Sequence, residues 1–468
     1  MERIEWEDVQ RIVLSGCKHL PYSAYVLRRF QPEERARKKA WLADLAKRLT
    51  PALPDPDSKA QPAINLALTA SGLQHLGIDE PALNSFSMEF LEGMAPPRTP
   101  GAPIPRRTNI LGDLEASSPE FWDWGGWNKK TREIDVLLML FATDETSLEK
   151  LIESEIEAMQ GISDGDAIVL KGRLFYPEMK EHFGYVDGLS QPKIEGRPER
   201  KKQDPEKGTS EIKPGSEVKP GEFLLGYLNE RRACVTDGHG HGHGRDVRRN
   251  GTYLVFRQLE QDVPAFNAFI SNLAKNLDET EEWVAARLLG RSRNGDPLIA
   301  EGLDAGDSKN DFLYYYQDHS GLTCPIGAHI RRANPRDSLI PDPETALRLS
   351  KMHRIIRRGR PYGERWEPNI GEPVGENVGR GMLFIALNAD IAGQFELIQH
   401  SWLNNPRFNG LYTGTDPISH FSGDESITIQ NRPANLHIRR PAPFVRVRGG
   451  AYFFLPGIRA LRDIGASA

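Results

Sequence analysis

The sequence predicts an α+β fold made of two ferredoxin-like halves, antiparallel sheets with helices. Three observations lead there. Units reading strand then helix at 63–76 and 134–159 are echoed at 251–276 and 382–403, and two such units per half fit a ferredoxin-like sandwich occurring twice. The chain has 468 residues, enough for two domains or one large duplicated one. Between the halves, residues 195–220 (EGRPERKKQDPEKGTSEIKPGSEVKP) hold no large apolar residue beyond Ile212 and Val218, the composition of a linker or surface loop. The expected units are therefore 1–195, a polar linker at 196–222, and 223–468.

Taken in order, VQRIVLSG and HLPYSAYVLRRF within residues 7–30 predict a strand that turns at Gly16 and re-enters. Glu33 to Leu49 places Trp41, Leu42, Leu45 and Leu49 at helical spacing, and Pro51, Pro54 and Pro56 stop that helix. Ala63 to Gly77 reads as a buried strand, a Thr/Ser helix start and a short helix. Residues 85–127 are aromatic and proline-rich without a clean period, as expected of irregular covering structure. IDVLLMLFA is a strand, Thr143 and Asp144 supply a cap, and SLEKLIESEIEAM is the following helix. IVLKGRLFY is the next strand, leading into HFGYVDGLSQP. In the second half, residues 251–276 read as strand then helix starting near Asp262. Residues 382–403 read likewise, turning at Asn388 to Asp390.

Composition narrows the function classes. Charged residues make up 27% and nearly balance, 60 Lys+Arg against 65 Asp+Glu, which implies no nucleic-acid or membrane electrostatics. Cys17, Cys234 and Cys324 form no CxxC pair and no zinc spacing, which suits a reducing compartment. The start, MERIEWEDVQRIVLSG, is too acidic for a signal peptide, and no apolar run approaches the length of a membrane span. A cytoplasmic protein is expected. The run Gly238 to Gly244 alternates Gly with His239, His241 and His243, and reads as a loop able to bind a metal loosely.

Three motifs carry chemistry. Gly184 to Gly188 is a GxxDG box continuing into Ser190, Gln191 and Pro192. Cys324 to Asp337 (CPIGAHIRRANPRD) sets His329 before a basic run of Arg331, Arg332 and Arg336. Arg357 to Gly363 reads RRGRPYG. Alone, each has a plainer explanation: Asp in a Gly turn, a packed histidine, a basic helix end. Together and in this order they resemble the dye-decolourising peroxidases, a family of haem enzymes, over roughly residues 8 to 456.

The resemblance implies a duplicated ferredoxin-like fold with haem b held mainly by the second half. It implies His329 as axial ligand to the haem iron and Asp187 as the acid–base residue. Arg357, counted back from the Pro361-Tyr362-Gly363 turn in preference to Arg358, is the implied distal arginine. It further implies Asp390 as acceptor on the other ring nitrogen of His329, although Asp390 equally suits a helix cap. Arg331 is the expected propionate partner, and Gly184 and Gly188 are expected to let the backbone approach the macrocycle. The implied reaction reduces hydrogen peroxide and oxidises phenolic or dye-like donors in one-electron steps. A haem-binding or iron-handling protein of the same fold without turnover is the alternative. Tyr314, Tyr315, Tyr316 and Trp366 are aromatic positions that could carry oxidising equivalents outward or serve only as core.

Overall fold

The computed structural model describes residues 3–53, 61–99, 101–128, 133–198, 217–234, 246–299, 310–339, 341–366, 379–419, 426–439 and 442–466. The Gly-His run at 238–244 and most of the 196–222 linker lie outside them.

The first half is built from β1 (Tyr22–Phe30), α1 (Arg35–Arg48), β2 (Ala63–Leu68), β3 (Val136–Ala142), α2 (Glu145–Ala158) and β4 (Ser163–Arg173). The second half uses β5 (Thr252–Gln261), α3 (Val263–Leu277), α4 (Glu281–Leu289) and α5 (His329–Ala333). It continues with β6 (Ile356–Arg357), β7 (Arg360–Tyr362) and β8 (Gly381–Asn388). After the π-helical turns Ala392–Glu396 and Ile398–Leu403 it ends with β9 (Val445–Leu455) and α6 (Ile458–Ala466). The strands form one sheet in the order β4-β1-β3-β2-β9-β5-β8-β6, with β7 also on β8. Each half therefore has the ferredoxin-like order, last-first-third-second, and the halves join where Phe454 of β9 pairs with Leu68 of β2. The outer edges also approach: a Cβ on Gly172 of β4 would lie 3.2 Å from Arg360 Cβ of β7.

Strand alternation divides the core in two. Ala24, Val26, Leu138 and Leu140 face the helices, meeting Trp41, Leu42, Leu45, Leu148 and Ile152. Tyr25, Leu27, Leu137 and Met139 face the other way, into a second cluster with Leu254, Phe256, Leu383, Ile385 and Phe453. Helix α2 starts as expected: the Asp144 carboxylate accepts from Ser147 N at 2.8 Å.

One expectation needs correction. VQRIVLSG is not a strand: Arg11–Leu14 is a one-turn helix. Its buried Val9, Ile12 and Val13 stand at i, i+3 and i+4, a helical face whose β-branched residues read as strand. The strand, Thr69 cap and short helix read at 63–77 stand as β2 and Ala70–His75, while the unit that opens the first half is 22–48.

Candidate active site

His329 opens α5, and its orientation is fixed from outside that helix. Its Nδ1 lies 2.9 Å from Asp416 Oδ2 and 3.1 Å from Oδ1. Asp416 is buried and also accepts from Ile418 N at 3.0 Å, Ser419 N at 2.6 Å and Ser419 Oγ at 2.9 Å. Burial by itself would raise the Asp416 pKa. His329, the Ser419 amide and Arg332 outweigh it and hold the carboxyl well below its usual range. An ionised acceptor on Nδ1 keeps the proton there and leaves the Nε2 lone pair for a metal. Gly290, at φ +98°, ends α4 beneath α5, where a Cβ would meet Ile330 Cγ1 at 2.5 Å.

Asp187 stands on the turn after β4. Its amide donates to Met179 O at 3.0 Å, and its carboxylate lies 4.0 Å from Arg357 Nη1. Glu181 shapes this turn by accepting from the amides of Phe183 and Tyr185, both at 3.0 Å. The Leu-Ser-Gln stretch after the GxxDG box is held by the second half. Leu189 O accepts from Arg357 Nη2 (2.8 Å), Ser190 O from Arg354 Nη2 (3.0 Å), and Gln191 Oε1 from Arg357 N (2.9 Å). Along Arg357 to Arg360 the side chains divide. Arg357 points to the cavity, whereas Arg358 and Arg360 bond carbonyls of residues 12–21 in the first half.

His329, Asp187 and Arg357 all line one cavity of about 290 Å³. Its apolar wall includes Leu259, Met382, Phe384, Phe395, Leu403 and Ile418, and its cationic edge Arg291, Arg336 and Arg354. Arg336 and Arg354 donate to the backbone carbonyls of Phe312 and Ser190. Burial lowers the Arg354 pKa to about 9, and neighbouring Arg336 and Arg357 add to the effect. Three guanidiniums gathered at one edge of the cavity suit it to an anionic guest.

The multifunctional dye peroxidase DyP2 of an Amycolatopsis species is 30% identical to this chain over 422 residues. That alignment covers 86% of this chain and 82% of the relative. The chain belongs to the dye-decolourising peroxidase family. The dye-decolorizing peroxidase of Mycena epipterygia is 28% identical over 517 residues, covering 100% of this chain and 88% of that one. Among solved structures, an ancestral D-type dye-decolorizing peroxidase superposes with a TM-score of 0.77 at 26% identity, each chain fully covered. A fungal DyP-type peroxidase from Auricularia auricula-judae has the same fold, with a TM-score of 0.78 at 24% identity and full coverage of both. No family model matches the chain.

In this peroxidase two expected residues stand elsewhere. Asp390 does not touch His329: its Oδ1 accepts from Gly393 N at 2.8 Å, a cap, and its Oδ2 is 3.8 Å from Arg231. Asp416 occupies the place expected of it. Arg331 does not face the cavity: it is fully buried, donates to Asp318 Oδ2 at 3.1 Å and to Cys324 O at 2.7 Å, and stacks over Tyr314. It braces the loop before His329, and Arg332 braces the other side through Trp402 O at 2.6 Å. Gly184 and Gly188 do not line the main cavity. They take φ of +90° and +78°, and that left-handed backbone is what requires glycine. No helix among the described residues is long and apolar enough to cross a membrane, and among them no cluster of His, Cys, Asp and Glu could hold a metal ion by itself.

Proposed function

We propose that the cavity would hold haem b through His329 Nε2, and that Asp187 and Arg357 would act on hydrogen peroxide bound within it. The fit rests on the donor set: one imidazole oriented by an ionised Asp416, an apolar wall, and a guanidinium edge matched to two propionates. Haem bound there would supply a redox-active iron and hold two oxidising equivalents until donors reduce it. Arg336 and Arg354 would pair with the propionates.

Asp187, as carboxylate, would take a proton from one peroxide oxygen and return it to the other, so that the second leaves as water while the haem supplies the two electrons that break the O–O bond. Arg357 offers a permanent charge beside it, aimed where negative charge develops, and its position is fixed by Leu189 O and Gln191. Two molecules of a phenolic or dye-like donor would then each return one electron, and with two protons the remaining peroxide oxygen would also leave as water. The single observation carrying this reading is that His329, oriented by Asp416, and the Asp187–Arg357 pair line the same cavity.

The test is the absorption spectrum of the purified protein with haem, before and after peroxide. A Soret band that His329→Ala removes or shifts in spin state is expected, with rapid change on adding peroxide to the parent. A His329→Ala variant with wild-type haem content and an unchanged band would exclude His329 as ligand.

A further inference from the structure

We propose that Tyr452 is an internal electron donor: its phenol gives one electron to the oxidised cofactor while its proton passes to Glu396. This rests on the haem reading above and goes beyond it, since no part of that reading uses either residue. Oxidation of a phenol near neutral pH is easiest when the departing proton has a base waiting, because the cation left otherwise is strongly acidic. Tyr452 Oη donates to Glu396 Oε1 at 2.9 Å, and both side chains are buried. Arg107 Nε holds the same oxygen at 2.7 Å, and Arg107 is in turn paired with Glu92 at 2.8 Å, so a countercharge remains when Glu396 becomes neutral.

Position supports the same assignment. Tyr452 sits directly behind the cavity wall, its ring meeting that of Phe395 edge-on at a centroid distance of 6.3 Å, and Phe395 lines the cavity. The other tyrosines of the wall lack a proton acceptor of this kind. Tyr185 donates to the carbonyl of Ala285 at 2.8 Å, which cannot take a proton. Tyr314 has Arg331 4.4 Å above its ring, and no carboxylate is bonded to its oxygen among the described residues. Cations there oppose removal of an electron.

The step balances. The Tyr452 O–H bond breaks, one electron reduces the cofactor that peroxide has oxidised, and the proton adds to the Glu396 carboxylate. An external phenol or dye later returns the electron, and Glu396 returns the proton. Tyr452 would thus discharge the site when no donor is bound.

The experiment is freeze-quench electron paramagnetic resonance on the haem-loaded enzyme after peroxide, without donor. Protein grown on ring-deuterated tyrosine identifies the signal. A tyrosyl signal is expected in the parent and in Tyr314→Phe, with loss of most of it in Tyr452→Phe. Glu396→Gln, which keeps Tyr452 but cannot take its proton, should also lose it. Persistence of the full signal in Tyr452→Phe, or its loss in Tyr314→Phe alone, would overturn the proposal. So would a parent that changes its Soret band with peroxide yet gives no tyrosyl signal. A parent that binds no haem would instead overturn the reading of the cavity, and this inference with it.

Discussion

Replacing Asp416 by asparagine keeps its size but offers the His329 ring an amide that can donate as well as accept. The ionised acceptor on Nδ1, 2.9 Å away, is lost, and with it the electron-rich character of the ring. Haem affinity or turnover should fall about 10–100-fold. The iron–histidine stretching frequency, read by resonance Raman, should drop as well; an unchanged frequency would show that Asp416 does not tune the ligand. In the same cavity, Asp187→Asn should slow the reaction with peroxide by about 10²–10⁴. Arg357→Leu should cost about 10²–10³. Stopped-flow mixing with peroxide reads both rates, and a wild-type rate in Asp187→Asn would exclude it as the base. His329, Asp187 and Arg357 are legible because each sits inside a dense local motif. Asp416 is not, because it reaches His329 from 87 residues away and TDPIS carries no signal of its own. The basic run was legible as charge but not as direction. Packing of α5 turns Arg331 and Arg332 inward to carbonyls and leaves the cavity to Arg336.

At the scale of elements, the π-helical turns after β8 hang on the turn Pro220–Glu222, whose last carbonyl accepts from Ala389 N and Gln394 Nε2, each at 2.9 Å. Glu222 is itself buried, and burial pushes its carboxyl from 4.5 up to about 7, against the Glu230 amide and Arg231, which pull it down. The folded state therefore favours the protonated acid. Stability from this group is fully present below about pH 4.5 and is lost as pH rises through about 7, at most about 3 kcal/mol. Glu222→Gln stays neutral and can still accept from Glu230 N, which lies 2.9 Å from the carboxylate. Its thermal midpoint should exceed the parent's at pH 8 and match it near pH 4.5; a variant less stable at both would mean that the charge is needed. Strongly periodic elements such as β3 and α2 were legible from sequence, since a buried apolar run and a capped amphipathic helix leave little choice. Residues 9–16 were not, because β-branched residues on a one-turn helix imitate a strand, whereas the strand in HLPYSAYVLRRF stands as β1.

The whole molecule depends on how its halves are joined, and here the duplicated pattern was legible while the junction was not. Pairing of β2 with β9 connects one side. The other side is closed by side chains, because β4 and β7 approach without a ladder between them. Arg360 is nearly fully buried there. It donates to Leu20 O at 2.6 Å, Pro21 O at 2.8 Å, Cys17 O at 2.9 Å and Gly16 O at 3.1 Å, and lies 4.9 Å from the Phe141 ring centre. Its partners all belong to the first half, so one guanidinium satisfies a buried turn that no strand reaches. Arg360→Met would fill similar space and leave those carbonyls without their donor, at about 1–3 kcal/mol for each that water cannot reach. A loss of at least about 3 kcal/mol in chemical unfolding is therefore expected. Because Arg357 lies on the same segment, haem binding should weaken with it even though Arg360 does not line the cavity. Equal stability of Arg360→Met and parent would show that water replaces the guanidinium and that the β2–β9 pairing suffices to hold the halves together.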